Sequence, residues 1–258
     1  MNAEHVQSQL NERGAVLLPG VIPAPLLARL AEAVAANRAA QRPMSRQVLY
    51  TNTPPPPDRP PLTALMDQWL NPHRYTGPGS TRTVADSLRP LAAEILGEPG
   101  VLFQDLLLVK RSGQKRFPWH QDFGFWPVDQ PRGVVIWVPL QPSDGETGAL
   151  RFAAGSHRLG PRPVVDLHNG LPQDADAAQA FSPDDWPIFA PTYAAGDAAA
   201  FTPVTFHASP PMRRPGERAA WSCIFLSPSV RWCHASASNH PLCRRTTDGA
   251  PVTERPHA

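Results

Sequence analysis

The second half of the chain changes its hydrophobic period, and this change most restricts the possible folds. After about residue 100, short apolar runs rich in β-branched and aromatic residues follow one another, separated by Gly, Pro and Asp. Almost no helical pattern lies between them, which argues against a parallel α/β sheet. The pattern predicts a mainly β fold, namely a sandwich, barrel or jelly roll. The predicted strands are VLFQDLLLV, GVVIWVPLQ, GALRFAAG, DWPIFAP, DAAAFTPVTFHAS and RAAWSCIFLS.

The first hundred residues carry a helical pattern instead. Apolar residues recur at helical spacing in AEHVQSQLNERG, PAPLLARLAEAVAANRAA and VADSLRPLAAEILGEPG. Gly14 is predicted to end the first helix, and Pro90 is predicted to interrupt the third. Between the first two helices, AVLLPG is a strand candidate. The proline-rich segment 51–61 predicts an extended loop.

Length and composition favour one domain over 1–258 that binds neither nucleic acid nor a membrane. A chain of 258 residues can bury a sizeable core. Its formal charge of +2, with Lys and Arg spread along the chain, offers no basic face for nucleic acid. No apolar run approaches the roughly eighteen residues of a membrane span, so we expect a cytoplasmic protein. The expected parts are a mostly helical 1–100, a jelly-roll core at 101–228 and an irregular tail at 229–258.

A histidine and an aspartate two positions apart lie within a dense run of aromatic residues. If this segment is extended, His120 and Asp122 project from the same face and converge on one point. If residues 201–209 form a strand, His207 points into a barrel and provides a third ligand. Two histidines and one carboxylate, with further positions open, suit non-haem Fe(II) oxygenases. Arg218, at the start of the next β-prone run, would need an anionic partner such as a dicarboxylate.

The remaining cysteines and histidines have simpler interpretations. Three cysteines in the last quarter of the chain do not form a disulfide framework. Cys233, His234, His240 and Cys243 are close enough in sequence for a structural zinc site, and a reduced, irregular tail is the alternative. His157 is expected to order a turn. The histidines expected to face solvent are His5, His73, His168, His234, His240 and His257.

Three blocks of the sequence, in their order and spacing, resemble a known family. They are WHQDFGFWP, ETGALRFAAGSHRLG and AGDAAAFTPVTFHASPPMRRPGERAAW, and ERGAVLLPGVIPAPLLARL is similar to the opening of the same family. The family is that of phytanoyl-CoA dioxygenase (PhyH), whose members are Fe(II)/2-oxoglutarate enzymes, and the resemblance covers about Ala15 to Ser227. It implies a double-stranded β-helix, a cupin-like jelly roll, with the N-terminal helices packed outside the barrel.

The resemblance also implies roles for individual residues. His120, Asp122 and His207 match the iron triad, and Arg218 matches the arginine that binds the distal carboxylate of 2-oxoglutarate. Because halogenating relatives carry Ala or Gly in place of the aspartate, the presence of Asp122 implies oxygenation. The further residues that resemble co-substrate positions are Ser209, Trp137 and Lys110.

Substrate contacts are expected from aromatic and polar side chains near the triad. The aromatic residues have two interpretations, because a ring beside a strand is usually part of the core. Tyr50 is expected to form a lid together with the proline-rich loop. The other candidates are Gln104, Trp119, Phe123, Phe125, Trp126 and Arg151.

The function implied by the resemblance is an Fe(II)- and 2-oxoglutarate-dependent dioxygenase that uses O2 and releases succinate and CO2. It would hydroxylate, or otherwise oxidise, a small molecule such as a natural-product intermediate or an amino acid. An acyl-CoA hydroxylase is the alternative within the family, disfavoured because the sequence has no basic cluster. Two other classes stay open: a jelly-roll metalloprotein with non-oxidative chemistry, and a non-catalytic module, which predicts a broken triad. The sequence leaves the oligomeric state open.

Overall fold

Two antiparallel β-sheets form the centre of the protein. The computed structural model describes residues 3–42, 65–167, 181–237 and 240–254. The strands are β1 (Ala15–Leu18), β2 (Asp67–Leu70), β3 (Val101–Arg111), β4 (Phe117–His120), β5 (Gly133–Pro139), β6 (Arg151–Ala153), β7 (Ile188–Phe189), β8 (Ala198–Phe201), β9 (His207–Ser209) and β10 (Glu217–Leu226). The larger sheet has the order β1-β8-β5-β10-β3-β2, and the smaller sheet has the order β4-β9-β6-β7. This arrangement confirms the predicted jelly roll.

The helices lie in the first part of the chain, as their hydrophobic period predicts. They are α1 (Ala3–Arg13), α2 (Ala24–Ala39), α3 (Arg82–Ser87) and α4 (Arg89–Leu96). Gly14 ends α1 with a φ of 76°, a conformation that glycine adopts without strain. The break between α3 and α4 falls at Leu88, just before Pro90. None of the described helices is both long and apolar enough to cross a lipid bilayer.

Two hydrophobic cores lie on the two faces of the larger sheet. On β5, Val134, Ile136 and Val138 pack in the core shared with the helices. Val135 and Trp137 point the opposite way, into the core between the sheets. Because both faces of β5 are buried, its sequence reads as a continuous apolar run. The helices therefore cover the outside of the barrel, as predicted.

The predicted strand DAAAFTPVTFHAS differs from the observed structure. It divides into β8 and β9, which belong to different sheets. Between them, Thr205 N donates to Thr202 O at 3.0 Å, and Thr205 Oγ1 donates to Gly14 O at 2.8 Å. These hydrogen bonds satisfy a tight turn that moves the chain from one sheet to the other. The sequence also does not predict β2, which has only four residues.

The C-terminal segment is irregular in the described residues, and it belongs to the core. It contains short 3-10 helices at His234–Ser236 and Pro241–Arg245. Trp232, Leu242 and Val252 are buried in the core between the sheets. The segment therefore packs against the barrel instead of extending from it.

Two histidines expected to face solvent are buried, so that prediction is wrong for them. His73 is 5% exposed, and its Nδ1 lies 2.6 Å from Oδ1 of the buried Asp105. His240 is 4% exposed and contacts Gln104. Each ring has a polar partner, which offsets the cost of burial. The predictions for His168 and His257 lie outside the described residues.

Candidate active site

His120, Asp122 and His207 come together at one end of the smaller sheet. His120 ends β4 and His207 begins β9, and these two residues are direct cross-strand partners. Their rings are 4.2 Å apart between centroids. Oδ1 of Asp122 lies 3.6 Å from Nε2 of each histidine. All three potential ligand atoms lie within 4.8 Å of one another.

The backbone brings Asp122 to this point by a turn, not by a continuous strand. β4 ends at His120, and Asp122 has helical dihedrals (φ −69°, ψ −38°) at the start of a 3-10 helix, Phe123–Phe125. The prediction that an extended segment places both residues on one face is therefore wrong in its geometry. A register shift between Phe117 and His120 also aligns His120 with His207 across the sheet.

Backbone carbonyls orient both imidazoles. Nδ1 of His120 lies 2.8 Å from Pro118 O, and Nδ1 of His207 lies 3.0 Å from Thr205 O. Carbonyls only accept, so each Nδ1 carries the proton and donates it. Each Nε2 then presents its lone pair towards Asp122, as in histidines that bind metal ions.

Burial and charge favour the protonation states that a metal ion needs. Burial, and then the neighbouring His120, lower the pKa of His207 to about 4. Burial opposes the ionisation of Asp122, but the two imidazoles outweigh it and hold the pKa of this carboxyl below its usual value. At neutral pH the group therefore consists of a neutral His207 and an ionised Asp122.

This donor set fits a divalent transition metal ion. It offers two imidazole nitrogens and one carboxylate oxygen, and all three side chains line the same cavity. Among the described residues, no second group of three His, Cys, Asp or Glu side chains is close enough to bind a metal. The proposed zinc site in the tail is thus not formed there, and Cys233 and Cys243 are free.

Two buried cations lie near this group. Arg218 on β10 is the direct cross-strand partner of Lys110 on β3, and the two residues are 1% and 0% exposed. Ser209 holds both, because its Oγ accepts from Lys110 Nζ at 3.1 Å and from Arg218 Nη2 at 3.4 Å. Arg218 Nη2 also donates to Gly148 O at 2.7 Å. Within the described part of the chain, neither cation forms an ion pair with a carboxylate.

Several hydrogen-bond donors around these cations have no partner. Nε and Nη1 of Arg218 and the hydroxyl of Tyr193 are buried without a hydrogen-bond partner among the described residues. A buried polar group left in this way costs about 1–3 kcal/mol. Burial lowers the pKa of Arg218 to about 10. Burial, and then Arg218, lower the pKa of Lys110 to about 7. The region is therefore suited to an anion.

Trp137 and Ser209 connect the cations to the cavity that contains the triad. Both residues line that cavity. The Arg218 guanidinium lies 5.3 Å from the centre of the Trp137 ring, and Tyr193 packs edge-on against the same ring at 5.0 Å. The other residues of the lining are Met66, Gln68, Gln104, Leu106, Leu108, Phe117, Phe125, Trp126, Leu150, Leu167, Phe201, Ser222 and Ile224.

The structure divides the predicted substrate residues into two groups. Gln104, Phe125 and Trp126 line the cavity. Trp119, Phe123 and Arg151 are not part of this lining. The Trp119 side chain points away from the cavity, where the Arg151 guanidinium lies 5.1 Å from its ring. Tyr50 and the proline-rich loop lie outside the described residues.

Three polar residues of the site were not predicted from the sequence. Ser222 lies four residues after Arg218 on β10, so a period of two along this strand would have indicated it. Gln68 lies on β2, which the sequence does not predict. Tyr193 lies in a segment without regular secondary structure and carries no sequence signal. Its position next to Trp137 depends on the fold.

A family model for phytanoyl-CoA dioxygenase (PhyH) matches residues 10–220 of this chain. The chain belongs to this family. Family membership confirms the resemblance seen in the sequence. Fe(II), 2-oxoglutarate and O2, the predicted cofactors, are those of the family.

One curated relative shares part of the sequence. It is the L-proline trans-4-hydroxylase of Streptomyces griseoviridis, which is 33% identical over 75 residues. The alignment covers 27% of this chain and 28% of the relative. The chain thus matches less than a third of the length of this relative.

Solved structures share the fold over nearly the whole chain. The epimerase SnoN in complex with Fe3+, α-ketoglutarate and nogalamycin RO superposes with a TM-score of 0.76 at 22% identity, covering 98% of this chain and 96% of SnoN. The carbocyclase SnoK of nogalamycin biosynthesis superposes with a TM-score of 0.75 at 16% identity, and the match covers 99% of this chain and 96% of SnoK. EvdO2 of Micromonospora carbonacea var. aurantiaca, complexed with 2-oxoglutarate, superposes with a TM-score of 0.62 at 22% identity. The match covers 93% of this chain and 96% of EvdO2. These similarities confirm the predicted fold.

Proposed function

We propose that this protein is an Fe(II)- and 2-oxoglutarate-dependent dioxygenase with one catalytic domain. It would oxidise a small molecule and release succinate and CO2. The observation that carries the proposal is the buried pair of Lys110 and Arg218, which has open donors beside the cavity of the His120, Asp122 and His207 group. A dicarboxylate can pair with both cations and reach the metal group.

In this proposal, Nε2 of His120, Nε2 of His207 and the Asp122 carboxylate hold the iron. The backbone carbonyls of Pro118 and Thr205 keep both rings in the binding orientation. When bound, iron and 2-oxoglutarate together activate O2 for the oxidation of a C–H bond. The chain itself provides placement of the reactants and exclusion of water.

The distal carboxylate of 2-oxoglutarate would be held by Arg218, with Lys110, Ser209 and Tyr193 around it. Nε and Nη1 of Arg218 form the open side of a planar fork, which matches a carboxylate in bidentate fashion. The anion would satisfy these donors and the Tyr193 hydroxyl. It would also reduce the repulsion between the two cations.

Orientation of the substrate would depend on the cavity walls. Leu106, Leu108, Leu150 and Ile224 are apolar and would exclude water around the reacting C–H bond. Phe125 and Trp126 are proposed substrate contacts near the triad. Hydroxylation of a natural-product intermediate or an amino acid is the proposed reaction. The hydroxylase, epimerase and carbocyclase activities of the similar proteins support a small-molecule substrate.

Anaerobic spectroscopy tests this proposal directly. Addition of Fe(II) and then 2-oxoglutarate to the protein should produce a weak visible charge-transfer band. Succinate is the matched control, because it has both carboxylates but no keto oxygen and should produce no band. Absence of the band at saturating 2-oxoglutarate would contradict the proposal. A screen for succinate release, with mass spectrometry for the gain of one oxygen atom, would then identify substrates.

A further inference from the structure

Three buried polar side chains project into the cavity from the larger sheet. Gln68 lies on β2, Gln104 on β3 and Ser222 on β10, and their exposed fractions are 5%, 2% and 7%. Their neighbours on the same wall are leucines and an isoleucine. A buried amide or hydroxyl on an apolar wall needs a hydrogen-bond partner. These groups therefore indicate where a ligand would be recognised.

The orientation of the Gln104 amide is determined by the C-terminal segment. Nδ1 of His240 accepts a hydrogen bond from Leu242 N at 3.2 Å. A neutral imidazole that accepts at Nδ1 carries its proton at Nε2. His240 Nε2 therefore donates to Gln104 Oε1, which lies 3.1 Å away. Burial lowers the pKa of His240 to about 3, so the ring stays neutral and keeps this donor throughout the neutral range.

With its oxygen engaged by His240, Gln104 has only its NH2 group left to bind a ligand. No described residue accepts a hydrogen bond from this nitrogen. The side chains of Gln68 and Ser222 likewise form no hydrogen bond within the described part of the chain. The wall thus offers one oriented donor at Gln104 and two adaptable polar groups beside it.

The described residues that line the cavity offer no counter-charge for an ionised substrate. Among its lining residues, only His120, Asp122 and His207 are titratable, and these are the proposed metal ligands. Lys110 and Arg218 are not part of the lining and would be used by 2-oxoglutarate. A free amino acid carries both a carboxylate and an ammonium group at neutral pH. Burying either group without a partner would cost several kcal/mol.

We propose that the site selects a largely apolar substrate without ionised groups, whose carbonyl or hydroxyl oxygen accepts a hydrogen bond from the Gln104 amide, with His240 as a positioning residue. This inference rests on the proposed function for the location of the substrate. It narrows the substrate class, because it excludes free amino acids and other charged molecules. His240 acts only through Gln104, since it does not line the cavity.

Equilibrium dialysis with paired probes tests the selectivity for neutral ligands. The probes are benzophenone with 4-benzoylbenzoate, progesterone with 3-oxo-4-androstene-17β-carboxylate, and N-acetyl-L-proline methyl ester with L-proline. At least one neutral member should bind, at least about tenfold more tightly than its charged partner. Equal or tighter binding of the charged members would overturn the inference, and so would the absence of any neutral binder. The anaerobic Fe(II)/2-oxoglutarate band, recorded on the same sample, reports separately on the proposed function.

Variants test the role of the His240 to Gln104 hydrogen bond. Gln104→Leu and His240→Phe should each weaken binding of the neutral ketone about tenfold. His240→Gln should restore binding, because the amide nitrogen of glutamine replaces Nε2 as the donor. His234→Phe is the matched control: His234 lies in the same segment and contacts Thr246, and its loss should leave ketone binding unchanged.

A ligand that lacks the carbonyl oxygen distinguishes the loss of a hydrogen bond to Gln104 from a general destabilisation of the variant proteins. Diphenylmethane has the two rings of benzophenone and no carbonyl group. If another of the ketones binds instead, its analogue without the carbonyl oxygen is used for the comparison. Gln104→Leu and His240→Phe should leave the affinity for this analogue within about twofold of the wild-type value. If both variants weaken the ketone and its analogue equally, Gln104 does not bind the oxygen and the inference fails.

Discussion

Lys110 and Arg218 are direct cross-strand partners in the core of the barrel, and Ser209 Oγ lies within hydrogen-bond distance of both. Like charges placed opposite each other destabilise a sheet. An anion bound between the two cations would reduce their repulsion. The arrangement thus favours a dianionic co-substrate at a cost to the stability of the ligand-free protein.

Arg218 should contribute more to 2-oxoglutarate binding than any other side chain. Arg218→Met removes two open donors of a buried guanidinium and should weaken 2-oxoglutarate at least about 100-fold, since each charge-assisted hydrogen bond contributes about 1.5–3 kcal/mol. Iron affinity should change little. Titration calorimetry with each ligand measures both effects. Arg213→Met is the control, because Arg213 is an exposed arginine paired with Glu146. A nearly unchanged KM for 2-oxoglutarate in Arg218→Met would refute the assignment.

Lys110 should make 2-oxoglutarate binding depend on pH. Its pKa of about 7 means that, in the free protein, the amine is protonated below pH 7 and neutral above it. A bound carboxylate favours the charged form and raises this pKa, so binding above pH 7 requires uptake of a proton. The affinity should therefore decrease by up to about tenfold per pH unit between pH 7 and 10.

Calorimetry in buffers of different ionisation enthalpy checks this proton uptake. Lys110→Met should bind 2-oxoglutarate more weakly than wild type at pH 6 and should lose the pH dependence above pH 7. If the wild-type affinity for 2-oxoglutarate does not change between pH 7 and 10, protonation of the Lys110 amine is not linked to binding of the co-substrate.

Asp122 should be needed for iron retention and turnover. Asp122→Ala removes the anionic ligand from the group and leaves only the two imidazoles, so turnover should fall more than about 100-fold. Bound iron, measured by metal analysis after gel filtration, should decrease in parallel. Asp184→Ala, at an exposed aspartate outside the site, is the control. Normal iron content and turnover in Asp122→Ala would show that another group binds the metal.

Tyr193 should show opposite effects on stability and on co-substrate binding. Its hydroxyl is buried without a partner, so Tyr193→Phe should stabilise the ligand-free protein by about 1 kcal/mol. The same change should weaken 2-oxoglutarate a few-fold, because the hydroxyl no longer binds the carboxylate. Thermal unfolding with and without 2-oxoglutarate measures both. Tyr75→Phe is the contrast, since the Tyr75 hydroxyl donates to Leu70 O at 3.1 Å and its loss should destabilise. A Tyr193→Phe protein with wild-type 2-oxoglutarate affinity would exclude this hydroxyl from the site.

The fold class followed from local pattern because most strands are buried on one or both faces. The short β-prone runs of β5 and β10 each predict a strand, and the helical period predicts α1 and α2. β2 was missed because it has four residues and includes Asp67 and Gln68, which are uncommon in strands. Its identity as a strand depends on pairing with β3.

The structure brings the three candidate ligands together, but not by the extended segment predicted from the sequence. His120 and Asp122 meet through a turn after β4, and His207 begins a strand separate from β8. Spacing in sequence indicates which residues approach one another only when the local backbone is known. The triad was nevertheless recognisable because its blocks keep the order and spacing of the family.

Hydrophobic period was sufficient to predict the class of fold, and the resemblance of the motif blocks indicated the family and the set of candidate ligands. Cross-strand register brings Lys110 opposite Arg218 and His120 opposite His207, and packing of the C-terminal segment places His240 against Gln104. These contacts join residues far apart in the chain. A period of two specifies which face a side chain occupies, whereas the partner it meets depends on how distant strands align when the barrel closes.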